Sequence, residues 1–142
     1  NENKLKESWL ELHEKYNSEY NPIPPYEEIA KLGFGVGFTK ADARTLYYFI
    51  RHYKPKKYIE IGSGISTYYT SLAATVNEEN AHPLSIKCIE PFPKENLNQI
   101  KNLEFHKKFV QGVPLSFFDQ LEDGDILFID SSNAAKIYIY VT

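Results

Sequence analysis

The run Lys57-Tyr58-Ile59-Glu60-Ile61-Gly62-Ser63-Gly64-Ile65-Ser66-Thr67 decides how the rest of the chain is read. Tyr58, Ile59 and Ile61 are the aromatic and β-branched residues of a short strand covered on both faces. The strand stops on Gly62 and Gly64, which remove side chains where backbone must approach a ligand. Beyond them Ser66 and Thr67 can cap a helix whose free N–H groups point at that ligand. The stretch is therefore a ligand-binding strand-to-helix turn. Glu60 is its odd residue. A carboxylate inside an apolar strand is costly to bury unless a cationic or donor-rich partner meets it, which marks the position as functional.

Composition bounds what the turn can serve. At 142 residues and 42% hydrophobic content, the chain is most simply one domain with one core. The net charge of −3 comes with lysines scattered among acids, so there is no basic field for a nucleic acid. The single cysteine, Cys88, cannot form an internal disulfide and reads as an inert buried thiol in a reducing compartment. No segment has the length or apolarity to cross a membrane and the N-terminus lacks a signal-peptide core, so the expected location is the cytoplasm.

The order of elements gives the fold. Leu5, Trp9, Leu12 and Tyr16 recur at helical spacing and predict an amphipathic helix over about 3–17, with Trp9 as a packing residue. Asn21-Pro22-Ile23-Pro24-Pro25 breaks it into an extended connector, followed by a short helical piece at 26–31. Gly33-Phe34-Gly35-Val36-Gly37-Phe38 reads as a flexible connector. Thr39, with Asp42 three residues on, caps a helix with Ala43, Leu46, Tyr47 and Ile50 on its buried face, ending near Tyr53. After the glycine turn a helix is expected over 66–76, with Tyr68 and Tyr69 as ligand walls or core. A polar turn at 77–80 and a strand from Leu84 to Glu90 follow. A short helix at 94–101, a strand at 103–110, a helix at 114–121 and a buried strand at 125–130 complete the series. Strands alternating with helices predict an α/β, doubly wound, Rossmann-like and mainly parallel sheet with helices on both faces. Residues 1–38 form an N-terminal helical extension and connector, and 39–142 form the ligand-binding domain. Such sheets bind ligands beyond the carboxyl ends of their strands, where the glycine turn and Asp130 should meet.

Two nucleotide chemistries separate at the turn. A pyrophosphate wants three glycines, but the third slot of GxGxxG falls on Thr67, and Glu60 would repel the phosphates. A ligand with an ammonium and a sulfonium would welcome that carboxylate. The Glu-x-Gly-x-Gly pattern resembles motif I of the class I S-adenosylmethionine-dependent methyltransferases. Residues from about 39 to 133 are similar to small-molecule methyltransferase-like proteins with an Ile-Gly-Ser-Gly-x-Ser-Thr turn and a Phe-Ile-Asp-Ser-Ser-His fourth strand. This chain carries the turn at Ile61–Thr67, then Ile89-Glu90-Pro91, Val110-Gln111-Gly112-Val113-Pro114 and Phe128-Ile129-Asp130-Ser131-Ser132. The resemblance implies a methionine-end site of Glu60, Gly62, Ser63 and Gly64. It also implies a ribose carboxylate at Glu90, an adenine edge at Gln111 with Val110, and Asp130 facing the methyl or the substrate. Glu90 suits its part because a bidentate carboxylate at a strand end can accept both ribose hydroxyls.

Two departures accompany the resemblance. Asn133 stands where the pattern often has His, which puts any proton-transfer or metal role of that His in doubt. The family sheet has seven strands, and this chain ends soon after the fourth, so its C-terminal strands are expected to be truncated. Ile137-Tyr138-Ile139-Tyr140-Val141 lies too close to Asp130 for a parallel crossover and is a hairpin partner, a helix start, or a segment joined across residues not shown.

The function implied is methyl transfer to a small-molecule acceptor, most simply an oxygen, with Asp130 as base. S-adenosylmethionine is the cofactor and no metal is expected. The alternatives are an NAD-dependent enzyme on the same sheet and a truncated, non-catalytic binding or interaction domain. Partners are expected to be a small-molecule substrate and, through apolar surface left by missing strands, other copies of the chain, with no nucleic acid or membrane.

Overall fold

A computed structural model describes residues 2–35, 38–130 and 135–140, with side chains from residue 8 onward apart from Ala135. Val36 and Gly37 of the glycine-rich connector, and Ser131, Ser132 and Asn133 of the motif after the fourth strand, lie outside the described residues.

The elements in order are α1 (Glu2–Tyr20), α2 (Tyr26–Ala30), α3 (Lys40–Tyr53), β1 (Lys57–Ile61), α4 (Ile65–Glu79), β2 (Ser85–Ile89), β3 (Leu103–His106), β4 (Ile126–Asp130) and β5 (Ala135–Ile139). The fold is α/β, with one five-stranded sheet in the order β3-β2-β1-β4-β5. The pairs among β1 to β4 are parallel, and β5 runs antiparallel to β4. Of the three readings of the segment after Asp130, the hairpin partner is the one found, since a few residues can reverse a chain but cannot carry a crossover.

Strand direction of travel explains what covers the sheet. From β1 the chain steps outward to β2 and β3, then returns to β4 on the other side of β1. A right-handed crossover that reverses its travel must change face. Accordingly α3 and α4 pack on the face of Tyr58, Ile86, Cys88, Ile126 and Phe128, together with Leu97 of a 3₁₀ turn. The opposite face, carrying Ile59, Ile89 and Leu127, is covered by Val110, Val113, Phe117 and Phe118. Helices were expected on both faces. Among the described residues the second face carries two 3₁₀ turns, Val110–Gly112 and Leu115–Gln120, instead of an α-helix. The segment starting at Pro114 leaves Leu115 85% exposed, so the burial that holds a full helix is missing at its start.

Other boundaries move for identifiable reasons. Helix α1 continues three residues past 17 because Tyr20 extends the buried stripe of Leu12 and Tyr16 and meets Tyr47 edge-on at 5.3 Å. Helix α4 runs through the expected polar turn to Glu79. Asn77 is fully buried there, donating to the Ile50 carbonyl at 3.0 Å and accepting from Arg51 at 2.5 Å. Strand β3 stops at His106, four residues short of Val110. It is an edge strand, and the amide of Lys108 folds back to the His106 carbonyl at 2.8 Å.

The N-terminal segment shares the main core. Leu12, Tyr16, Tyr20, Ile29, Phe34 and Phe38 belong to the same buried cluster as the sheet. Glu19 accepts from the Tyr47 hydroxyl at 2.7 Å and from Arg51 Nε at 2.8 Å, pinning the end of α1 to α3. Trp9 is 36% exposed, stacking on His13 at 4.9 Å and donating to Thr45 Oγ1 at 3.3 Å, a packing role on the rim of the α1–α3 contact.

Candidate functional site at the carboxyl edge

Strands β1, β2 and β4 end together, and their last residues assemble the site. Gly62 follows β1, and its amide donates to the Ile89 carbonyl at 2.9 Å, tying the turn to the end of β2. A Cβ on Gly62 would stand 3.5 Å from the Cβ of Asp130, so the glycine turn and the end of β4 meet as the sequence predicts. Gly62 has φ +107° and Gly64 φ +153°, backbone that side chains rarely tolerate. The close approach at Gly64 comes from the chain itself: a Cβ there would lie 2.9 Å from the carbonyl oxygen of Phe34. Phe34 stacks on Tyr68 at 4.9 Å, so the N-terminal connector rests on the start of α4.

Glu90 stands directly after β2. Its Oε1 accepts from Ser63 Oγ at 2.9 Å and its Oε2 from the Phe92 amide at 3.3 Å. Each oxygen keeps acceptor capacity, which is what two adjacent hydroxyls on a ligand require. Asp130 is partly buried, and burial first, then the charge on Glu90, raises its pKa above the usual carboxylate range.

Glu60 is fully buried, and the donors that meet it are the chain's own. Pleating places it on the Tyr58 face of β1, under α4. Its Oε1 accepts from the Tyr58 hydroxyl at 2.6 Å, and its Oε2 from Ser66 Oγ at 2.7 Å and Thr67 Oγ1 at 3.2 Å. Burial dominates these hydrogen bonds and raises the Glu60 pKa to about 8. Thr67 Oγ1 in turn accepts the Gly64 amide at 3.0 Å. The residues that sequence reading assigned to helix capping thus also hold the carboxyl. The signal that could have found this is the i, i+2 spacing of Tyr58 and Glu60 together with hydroxyls six and seven residues beyond Glu60.

The structure brings Glu60, Gly62, Ser63, Gly64, Glu90 and Asp130 together. Gln111 lies on a segment whose Phe109 ring stands 6.0 Å from that of Phe92, two residues beyond Glu90. It is exposed on the 3₁₀ turn Val110–Gly112, and no hydrogen bond among the described residues ties it to Glu90, whereas Val110 is half-buried against the second core cluster. Tyr69 is fully buried in the core, while Tyr68 is half-buried against Phe34. A recess of about 530 Å³ lies elsewhere, on the outer face of α4 between Tyr68, Thr75, Asn96 and Ile100, and reaches toward the turn through Phe34 and Tyr68.

Over 94 residues the chain is 38% identical to an uncharacterized protein of Archaeoglobus fulgidus. That match takes in 63% of this chain and 41% of the relative, so the chain spans less than half the length of the protein it matches. No protein-family model matches the chain, and no solved structure matches it. The chemistry of the turn and its carboxylates therefore carries the functional reading.

Among the described residues no helix is long and apolar enough to cross a membrane, and no group of three or more His, Cys, Asp or Glu side chains is arranged to hold a metal ion. Cys88 is a buried free thiol whose pKa burial pushes well up, so it is held as the unreactive thiol.

Proposed function

We propose that this chain is the cofactor-binding part of an S-adenosylmethionine-dependent methyltransferase of Rossmann-like, doubly wound type, acting in the cytoplasm on a small-molecule acceptor. The observation that carries the reading is the pair of carboxylates flanking the glycine turn, Glu90 bonded to Ser63 at 2.9 Å and Asp130 with its Cβ 3.5 Å from where a Cβ on Gly62 would stand. A pyrophosphate at this turn would face two carboxylates, whereas a sulfonium with an ammonium is attracted. The strand order supports the same reading, because travel reverses between β1 and β4, the crevice position of ligands in such sheets.

The residues present fit the cofactor. Glu90 offers one free acceptor site on each oxygen for a ribose diol, and its link to Ser63 sets that carboxylate beside the glycine turn. When bound, S-adenosylmethionine supplies a methyl group on a positively charged sulfur. The protein's share is alignment of acceptor, methyl and sulfur, worth more here than acid–base help. Where the acceptor is a hydroxyl, the Asp130 carboxylate takes its proton, and a raised pKa makes that oxygen a better base near neutral pH. Ser63 holds Glu90 in position through its hydroxyl.

Isothermal titration with S-adenosylmethionine, S-adenosylhomocysteine and NAD tests the reading. Both adenosyl ligands should bind, NAD should not, and Glu90→Ala should weaken the adenosyl ligands roughly 10- to 100-fold through two lost charge-assisted hydrogen bonds. Binding of NAD alone would establish the nicotinamide alternative, and binding of none would leave an interaction domain.

A further inference from the structure

Among the described residues, the side chains that hydrogen-bond Glu60 are three hydroxyls, those of Tyr58, Ser66 and Thr67. The groups facing Glu60 are the Tyr58 phenol on its own strand, Ser66 and Thr67 from α4, the Cys88 thiol from β2 and the Asp130 carboxyl from β4. Burial holds the phenol and the thiol protonated and raises the pKa of both carboxyls, that of Glu60 to about 8.

This set of hydroxyls accepts both protonation states of Glu60 with its heavy atoms in place. When the carboxyl is ionised, all three hydroxyls donate to it. When it is neutral, its own O–H needs an acceptor, so one hydroxyl must turn. Thr67 can do this, because its oxygen already accepts the Gly64 amide at 3.0 Å and the Cys88 sulfur lies 3.9 Å away to take its hydrogen. Thr67 thus joins the protonation state of Glu60 to the backbone of the ligand-binding turn. A positive charge placed on that turn favours the ionised, all-donor arrangement, since opposite charges stabilise one another strongly where water is excluded.

We propose that Glu60 is the charge-sensing residue of the carboxyl-edge site: a ligand that brings a positive charge to the Gly62–Gly64 turn binds with release of the Glu60 proton, and a neutral ligand of the same shape does not. The inference rests on the proposed cofactor, whose sulfonium and thioether forms differ by that one charge. Glu60 acts here as a positioning and specificity residue behind the turn. Linkage to one proton allows at most a tenfold change in affinity per pH unit, with the sulfonium form favoured as pH rises.

The experiment counts protons. S-adenosylmethionine and S-adenosylhomocysteine are titrated into the chain at pH 7.5 in phosphate and in Tris, whose different ionisation heats reveal the protons released on binding. The amino groups of the ligands titrate in the same range, so Glu60→Gln provides the reference. The wild-type chain should release more protons with the sulfonium ligand than with the thioether, by a sizeable fraction of one beyond the difference that Glu60→Gln shows. Tyr58→Phe, which removes the donor to Oε1, should move that release to higher pH, and it decides the matter if Glu60→Gln does not fold. Equal proton counts in wild type and Glu60→Gln, or a Tyr58→Phe profile unchanged from wild type, would overturn this inference while both ligands still bind. Failure of either ligand to bind the wild-type chain would overturn the cofactor reading with it.

Discussion

The carbonyl oxygen of Phe34 occupies the space that a side chain on Gly64 would need, 2.9 Å from where its Cβ would stand. The N-terminal connector is thereby set against the glycine turn, its backbone on Gly64 and the Phe34 ring on Tyr68. Gly64→Ala must either push Phe34 off its stack with Tyr68 or open the turn, and its φ of +153° adds strain. We expect a loss of about 1–3 kcal/mol in urea unfolding. Gly112→Ala, with nothing within 4 Å of its Cβ and no positive φ, should stay within about 1 kcal/mol of wild type.

Burial of Glu60 predicts a pH dependence of stability. Its folded pKa of about 8 lies above the ordinary value of 4.5, so above pH 4.5 the folded chain holds a proton that the unfolded chain gives up. The contribution is fully present below pH 4.5, declines through the interval to pH 8, and is lost above it. Urea midpoints at pH 5, 7 and 9 should therefore fall less steeply in Glu60→Gln than in wild type. Parallel curves would show that Glu60 does not titrate in this interval.

At the opposite edge of the sheet, Asp125 is a structural acid. It is 2% exposed, and its Oδ1 accepts the amides of Lys56 and Lys57 at 3.0 Å each, while its Oδ2 accepts the amide of Glu122 at 2.9 Å. Asp125→Ala orphans three amides at the starts of β1 and β4 and should cost about 3 kcal/mol by chemical denaturation. Asp125→Asn, which retains one carbonyl acceptor, should cost less.

Docking of α1 depends on Glu19. Three contacts converge on its carboxylate: the Tyr47 hydroxyl, Arg51 Nε and Arg51 Nη2, the last at 3.1 Å. The Arg51 side chain is only 12% exposed, so Glu19→Ala leaves a largely buried guanidinium without its main partner. Such a loss falls on the order of 2–3 kcal/mol. Amide exchange in the last turns of α1 should rise in this variant while exchange in β1 stays slow.

Much of the scaffold was legible because it is written in local pattern. Apolar runs ending on glycine or an acid marked β1, β2 and β4, and the short link after Asp130 excluded a parallel neighbour. Glu90 and Asp130 could be named from their places at strand ends, since strand ends converge in a parallel sheet. Other features depend on tertiary partners. That Phe34 would press on Gly64, or that Asn77 would be buried and carry α4 onward, follows from contacts 27 to 30 residues apart in sequence. Glu60 was recognisable as an anomaly, but its partners depend on which face of β1 it takes and on the helix folding over that face. The expected helix over 114–121 is a 3₁₀ turn although Leu115, Phe118 and Leu121 stand at helical spacing, because Leu115 has no surface to pack on.

Amide chemical-shift mapping of the isotopically labelled chain with S-adenosylhomocysteine tests the central claim most directly, because it reports where the ligand sits. The account predicts the largest shifts at Gly62, Ser63, Gly64, Ile65, Glu90 and Phe92, saturating with a single affinity. Shifts confined to Ser71, Thr75 and Asn96 in the α4 recess, or none at all, would contradict it.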